Sequence, residues 1–339
     1  HALAARIADR CSVPDATALE WLSRPELAPP AACEALAGIR VLDPACGSGA
    51  FLLGVLTRIA SLRPSGASVS ELQEIIGEAL HGIDVQDDAA LLCALRLWLV
   101  LAASAGKRAP RLPNLERRIR QGDGLVDPLD LYGMAGHSNR AAARGSELRE
   151  SAHELSSAAR AFLTAEPSEK RLLARTILRL ERQVAERWTD AQLRTLKHAE
   201  RELLTVLDAP DLFGQRAAAE HPLHDELVRI RQHLQQARRL RAQLRRRSGL
   251  PFFSYVVHFA DVMPDGFDIV VSNPPWVRAH RWPAATASVV RERYVTCASP
   301  GWEYGARAVG VGKGVGAQVD LALLFLERAI RVLAAGGIV

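Results

Sequence analysis

With 339 residues, 48% hydrophobic and 24% charged, the chain can bury a substantial core as one large domain or two average ones. The formal net charge of +5 favours a polyanionic partner only mildly and excludes little by itself. The longest apolar stretch, Ala89–Ala103, is interrupted by Arg96, so no membrane span is expected.

The opening His1-Ala2-Leu3-Ala4-Ala5-Arg6 lacks the basic-then-apolar order of a leader, and because the first residue is not Met an upstream segment is expected. No two of the five cysteines are spaced Cys-x-x-Cys. That argues against a zinc site or redox pair and for buried free thiols in a reducing cytoplasm.

Residues 1–38 read as helical, with Leu3, Ile7 and Cys11 on one face and prolines at 25, 29 and 30 as punctuation. The apolar strand Ile39-Arg40-Val41-Leu42 then runs into Asp43-Pro44-Ala45-Cys46-Gly47-Ser48-Gly49, and a helix starts at Ala50-Phe51-Leu52-Leu53. Strand, glycine turn and helix make the first half of a nucleotide-binding unit. Gly47 and Gly49 would let the backbone approach a ligand where a Cβ would clash. The third glycine of the dinucleotide fingerprint is missing, and no Gly-Lys-Ser/Thr follows, so neither NAD nor a phosphate loop fits.

A helix over Val69–Glu78 leads to a second strand, Leu80-His81-Gly82-Ile83, ending on Asp84. A carboxylate there can accept both hydrogen bonds from a ribose. The helix Asp87–Ala103, apolar on most faces, is expected to be buried. A third strand ends in Gln121-Gly122-Asp123. Asp43, Asp84 and Asp123 would therefore line one edge of a parallel sheet, an acceptor-rich cleft suited to an amine, a ribose and an exocyclic amino group.

Residues 131–250 break the α/β rhythm. After a loose stretch, Gly133–Gly145, Leu173, Ile177, Leu180, Val184 and Trp188 form one apolar seam, and Leu223, Leu227, Ile230, Leu234 and Ala237 another. An antiparallel helical hairpin or a small bundle, turning near Pro210 and Gly214, is expected. Its last helix carries Arg238, Arg239, Arg241, Arg245, Arg246 and Arg247. These arginines form either a phosphate-contacting arm or a solvated face whose cations suit a helix C-terminus.

The chain then returns to the sheet. The apolar run Phe267-Asp268-Ile269-Val270-Val271-Ser272 reads as a buried strand and delivers Asn273-Pro274-Pro275-Trp276 to its end, where open α/β sheets bind ligands. Arg278, Arg281 and Trp282 follow at the mouth of the cleft, and the glycine-rich Gly301–Gly316 is expected to form a lid. A final helix over Val319–Leu333 precedes a strand starting at Ile338.

The run Asp43-Pro44-Ala45-Cys46-Gly47-Ser48-Gly49-Ala50-Phe51-Leu52 strongly resembles the S-adenosylmethionine loop of bacterial DNA adenine-N6 methyltransferases, above all the type IIG restriction–modification and phage-defence methylases. His81-Gly82-Ile83-Asp84, Leu112-Pro113-Asn114-Leu115 ahead of Gln121-Gly122-Asp123, Asn273-Pro274-Pro275-Trp276 and Asp320–Ala329 match in the same order. The resemblance covers residues 39–130 and 250–339. It implies a Rossmann-like class I methyltransferase fold: α/β, with a mostly parallel sheet, helices on both faces, a large helical insertion, and a core cut short at the C-terminus.

The domains expected are an N-terminal helical segment over 1–38, a cofactor half over 39–130, the insertion over 131–250 and a catalytic half over 251–339. Carried over residue by residue, Asp43, Pro44, Ala45, Gly47, Gly49 and Phe51 would form the cofactor loop. Asp84 would hold the ribose and Asp123 the adenine amino group. Asn273, Pro274, Pro275 and Trp276 would clamp a flipped base. Trp stands where the family most often has Tyr or Phe.

The implied cofactor is S-adenosyl-L-methionine, with no metal. The partners are double-stranded DNA and defence-system or restriction subunits, without a membrane, in the cytoplasm. A cytosine-N4 enzyme would usually begin the clamp with Ser. A protein-glutamine or ribosomal-RNA methyltransferase fits the insertion and Pro44-Ala45-Cys46 poorly. From another class, a non-catalytic DNA-binding or assembly module could retain the cofactor site.

Overall fold

The computed structural model describes residues 1–63, 66–106, 115–130, 146–163, 165–209, 222–246, 250–278, 290, 293–297 and 320–339. Gly133–Gly145, the Pro210–Gly214 turn, Leu112-Pro113-Asn114, Arg247, Arg281, Trp282 and Gly301–Gly316 lie outside them.

The chain divides into two compact units, one of residues 1–126, 158–173 and 265–339, the other of 127–157 and 174–264. The first opens with helices α1 (Ala2–Cys11), α2 (Asp15–Ser23) and α3 (Pro30–Glu34), followed by β1 (Val41–Asp43) and α4 (Ala50–Ser61). Next come α5 (Val69–Glu74), β2 (Leu80–Asp84), α6 (Asp87–Ala105) and β3 (Ile119–Gln121). The α5 start is set by a reciprocal Ser68–Glu71 capping box.

The strands, with β4 (Phe267–Val270) and β5 (Leu333–Ile338), form one sheet in the order β3-β2-β1-β4-β5. Every pairing is parallel. Val41 and Leu42 point to opposite faces, yet both are fully buried, so the central strand is covered on both sides. Helix α1 packs through Leu3, Ala4, Ile7 and Ala8. Its Arg6 reaches Asp268 on β4 at 2.5 Å, and the other oxygen of that carboxylate accepts the Arg40 amide at 2.9 Å.

Two local expectations change. Helix α6 is not buried all round: Ala90, Cys93, Leu97 and Leu101 face the core, while Leu91, Leu92, Leu95 and Leu99 are exposed. A helix laid on a sheet covers only one of its own faces. It is also long and apolar enough to cross a membrane, despite Arg96, with mean hydropathy 1.7 over an 18-residue window of which 22% is buried; its inner stripe packs in the core of this unit. At the C-terminal end, the last helix, α11 (Leu321–Val332), ends about where expected, but β5 begins at once, at Leu333 rather than at Ile338. A Cβ on Gly266 would stand 2.5 Å from the Ala334 nitrogen and 2.6 Å from the Leu333 carbonyl carbon. Close passage of the two backbones, made possible by glycine at φ 95°, holds an Ala-Ala-Gly-Gly stretch in the sheet.

The second unit takes in α7 (Ser146–Leu163) in part, most of α8 (Pro167–Asp208), α9 (Pro222–Arg246) and the short α10 (Tyr255–His258). Leu193 and Leu196 of α8 pack against Ile230, Leu234 and Ala237 of α9. Arg231 pairs with Glu200 at 2.9 Å and Arg241 with Asp190 at 2.7 Å, so ten steps forward on α9 are ten steps back on α8. The pair is antiparallel. The buried Asp127 carboxylate accepts the Ser254 hydroxyl at 3.1 Å and the Tyr255 amide at 3.0 Å, fastening residues 251–264 to this unit.

Candidate active site

The chain order runs outward from β1 to β3 and then returns to place β4 on the other side of β1. That reversal opens a crevice at the carboxyl ends of β1 and β4. Leu42 pairs with Val270, and the Val271 amide donates to the Leu42 carbonyl at 2.9 Å. Asp43 and Ser272-Asn273 therefore emerge side by side from neighbouring strands.

The turn after β1 folds over the end of β2. Cys46 donates its amide to the Ile83 carbonyl at 2.8 Å, and Gly47 donates to the Asp84 Oδ2 at 2.9 Å. The other Asp84 oxygen accepts the Gln86 amide at 2.9 Å. The Asp84 carbonyl accepts the Gly122 amide at 2.8 Å, setting Asp123 at the next strand end. Asp123 Oδ1 accepts the Leu125 and Val126 amides at 2.9 and 3.2 Å, leaving Oδ2 outside these bonds. Four adjacent strand ends thus carry Asp123, Asp84, Asp43 and Asn273 in that spatial order.

Asp43 is 1% exposed. Burial pushes its pKa up to about 6, opposed by the Ala45 amide and the nearby Ser272 hydroxyl and reinforced by the Asp84 charge. The Ala45 amide lies 3.2 Å from Oδ1. The Ser272 hydroxyl, buried at the end of β4, makes no hydrogen bond of normal geometry.

The two loop glycines do different work. Gly47 has φ 51°, and a Cβ there would meet nothing within 4 Å, so open space lies above the loop. Gly49 has φ 82° and caps α4, but a Cβ on it would stand 2.5 Å from the Cys93 sulfur. The constraint seen at Gly49 is therefore packing against α6, where the sequence pointed to approach to a ligand. Gly49→Ala is expected to cost about 1–3 kcal/mol from left-handed backbone plus overpacking. Adding Cys93→Ala should recover the packing part only, as read by urea unfolding. No rescue would mean that the backbone conformation alone carries the cost.

Pro44 is buried and Ala45 half-buried. Phe51 projects from the first turn of α4 onto the lip of an apolar cavity of about 320 Å³ that Leu3, Leu19, Val55 and Val271 also line. The residues expected to clamp a base differ in exposure: Pro274 is half-buried, Asn273 and Pro275 are exposed, and Trp276 is 76% exposed.

Several supports were invisible in the sequence. Arg96, read there only as a break in an apolar helix, donates to the Ser48 carbonyl at 2.9 Å and hydroxyl at 2.8 Å, clasping the glycine turn from α6. Cys46 and Cys93 lie together; the hydrogen bond with Cys93, then burial, raises the Cys46 thiol above its ordinary range, which keeps it protonated and inert.

Helix α11 steadies the outer loops. The Leu321 amide donates to the Val277 carbonyl at 3.0 Å, immediately after the clamp. Arg328, buried further along α11, donates to the Tyr294 hydroxyl at 3.0 Å and the Leu125 carbonyl at 2.9 Å. Ala45, Val126 and Val277 pack around the small core of Leu125, Tyr294, Leu324 and Phe325. One apolar cluster thus braces the segments that follow β1, β3 and β4.

An open, all-parallel five-stranded sheet with helices packed on it and its crevice at the β1/β4 reversal is an α/β architecture compatible with a methyltransferase fold. The Eco57I restriction-modification methylase family matches residues 78–339, and the chain belongs to that family. A putative type II restriction enzyme and methyltransferase of Methanocaldococcus jannaschii is 36% identical over 105 residues, 27% of this chain and 9% of that protein. An adenine-specific methyltransferase, PglX, of Streptomyces coelicolor is 30% identical over 73 residues, 21% of this chain and 6% of that protein. The matched stretches are thus small parts of much longer relatives.

Proposed function

We propose that this chain is the catalytic part of a DNA methyltransferase that methylates adenine N6 on a flipped base, within restriction–modification or phage defence in the cytoplasm. The observation that carries the reading is the adjacency of Asn273-Pro274-Pro275-Trp276 to Asp43 across the β1/β4 crevice. The relatives named as methyltransferases support it.

The residues around the crevice suit S-adenosylmethionine. The open space over Gly47 and a row of strand-end carboxylates match an amine, a ribose and an adenine amino group. When bound, this cofactor supplies an electrophilic sulfonium methyl group. Asp43, Ala45 and Gly47 would hold its methionine end, Asp84 the ribose and Asp123 the adenine amino group. Asp84 retains lone pairs beyond the two backbone bonds it already accepts.

Adenine N6 is a poor nucleophile because its lone pair is delocalised into the ring. Flipping the base out of the duplex costs a few kcal/mol. The Asn273 side-chain oxygen and the Pro274 carbonyl accept the two N6 hydrogens. They hold the nitrogen in one orientation and stabilise the positive charge that grows on it as the new bond to carbon forms. Trp276 offers an exposed face on which the extruded base can stack. Positioning of this kind can supply on the order of 7–11 kcal/mol of barrier reduction.

The test is transfer of a tritiated methyl group to unmethylated duplex DNA, followed by nucleoside separation. Label in N6-methyladenine is the expected result. Label in N4-methylcytosine would move the target to cytosine, and cofactor binding without transfer would favour a non-catalytic module.

A further inference from the structure

We propose that the outer face of α9 is a docking surface for the phosphate backbone of a DNA duplex, a proposal that rests on the DNA reading above and adds a second place of contact. The first argument is charge. Helix α9, Pro222–Arg246, holds seven arginines against Asp225 and Glu226. Its net charge of +5 equals that of the entire chain, so the remaining residues balance and the protein's basicity is concentrated in this one helix. From Leu227 to Arg246 there is no acidic residue at all.

The second argument is geometry. Leu227, Ile230, Leu234, Ala237 and Leu244 are buried and set the inner seam of α9. Against that seam Arg231, Arg238 and Arg245 recur every seven residues, and Arg239 and Arg246 repeat the same interval beside them. Seven residues advance about 10.5 Å and nearly two turns, so these side chains stack in rungs along one side. Arg231 and Arg241 are engaged by Glu200 and Asp190 of α8. Arg229, Arg238, Arg239, Arg245 and Arg246 are exposed and form no ion pair among the described residues.

A solvated helix face normally interleaves both signs, as α8 does with its Arg182–Glu186 and His198–Glu202 pairs. The helix dipole explains cations only in the last turn. It covers Arg245 and Arg246 but not Arg238 and Arg239, about two turns earlier. A like-charged ladder without compensating acids fits a polyanion of regular spacing. Helix α9 holds no Phe, Tyr or Trp as a stacking platform, so the contact is to the backbone and independent of base sequence.

The experiment compares the whole chain with a variant carrying Arg238→Gln, Arg239→Gln, Arg245→Gln and Arg246→Gln. Duplex DNA affinity is titrated against sodium chloride, and a second variant with Lys at the same four positions reports on charge alone. The glutamine variant is expected to flatten the slope of log affinity against log salt by about 2–4, from about 0.9 per lost phosphate contact. The lysine variant should keep the parental slope, and S-adenosylmethionine affinity should not move in either. An unchanged slope in the glutamine variant overturns the proposal, as does loss confined to duplex RNA. If the parent chain binds DNA with this slope dependence yet transfers no methyl group, the docking surface stands and the catalytic reading falls. Methyl transfer with an unchanged slope gives the converse.

Discussion

Asn273→Ala is expected to lower single-turnover methyl transfer to duplex DNA by about 10²–10³-fold, the scale seen when one preorganised polar group aimed at developing charge is removed. Affinity for S-adenosylmethionine should stay at the parental value. Asn273 stands exposed beyond β4, and no hydrogen bond from its side chain holds another part of the described structure, so truncation removes an acceptor without opening a cavity. Asn273→Asp keeps an acceptor oxygen and should retain more activity than the alanine variant. Parental rates in Asn273→Ala would sink the mechanism, because the reading gives the side-chain oxygen the task of fixing one N6 hydrogen. Trp276 provides a contrast. Its 76% exposure leaves a face free for the proposed stacking on the base, so its loss should act mainly through DNA affinity.

Asp43→Asn is expected to stabilise the protein at pH 8 while weakening cofactor binding there. The Asp43 carboxyl is raised from 3.8 to about 6, chiefly by burial. A group raised on folding contributes stability that is fully present below its unfolded value and is lost as pH rises through its folded value. The parent should therefore lose stability between about pH 4 and 6, by at most about 3 kcal/mol at 1.36 kcal/mol per unit. The asparagine variant should lack that slope. It keeps the oxygen that accepts the Ala45 amide and avoids burying a charge. Asparagine cannot offer a negative charge to the amine of the methionine end, so S-adenosylmethionine affinity of the parent should rise through about pH 6 while that of the variant stays flat. Calorimetric binding across pH 5–8, with urea unfolding alongside, checks both halves. Parental affinity of Asp43→Asn at pH 8 would remove Asp43 from the cofactor site. Burying a carboxyl that would be more comfortable in water is the kind of local cost that functional sites carry.

The local half of this architecture was legible because it is written in short-range chemistry. Val41-Leu42 ahead of Asp43-Pro44, the glycines of the turn and the apolar start of α4 dictate strand, turn and helix within a score of residues. The seams of α8 and α9 are likewise periodic, and α9 runs antiparallel to α8, locked by Arg231–Glu200 and Arg241–Asp190, with Ile230, Leu234 and Ala237 packed on Leu193 and Leu196, beyond the Leu173–Trp188 seam read from the sequence. Three carboxylates at three strand ends, and Asn273 at a fourth, could also be read from apolar runs that stop at a polar residue.

What depends on partners distant in the chain was not legible. The stretch Ala334-Ala335-Gly336-Gly337 has no strand propensity and is a strand only because β4 passes alongside it at the distance Gly266 allows. Helix α6 is apolar nearly all round, so periodicity could not say which leucines face the sheet and which face outward. Arg96 could be seen as an interruption, but not as the clasp on Ser48, and Arg328 gave no sign of its hold on Leu125.

The sequence by itself determined which residue types stand at the ends of the strands, because covalent neighbours decide where an apolar run stops. Only the tertiary structure decided that β4 lies against β1, which brings Asn273 beside Asp43 although more than two hundred residues separate them. That choice belongs to the sheet as a whole, since strand order follows from which faces must be buried together and no single segment carries it.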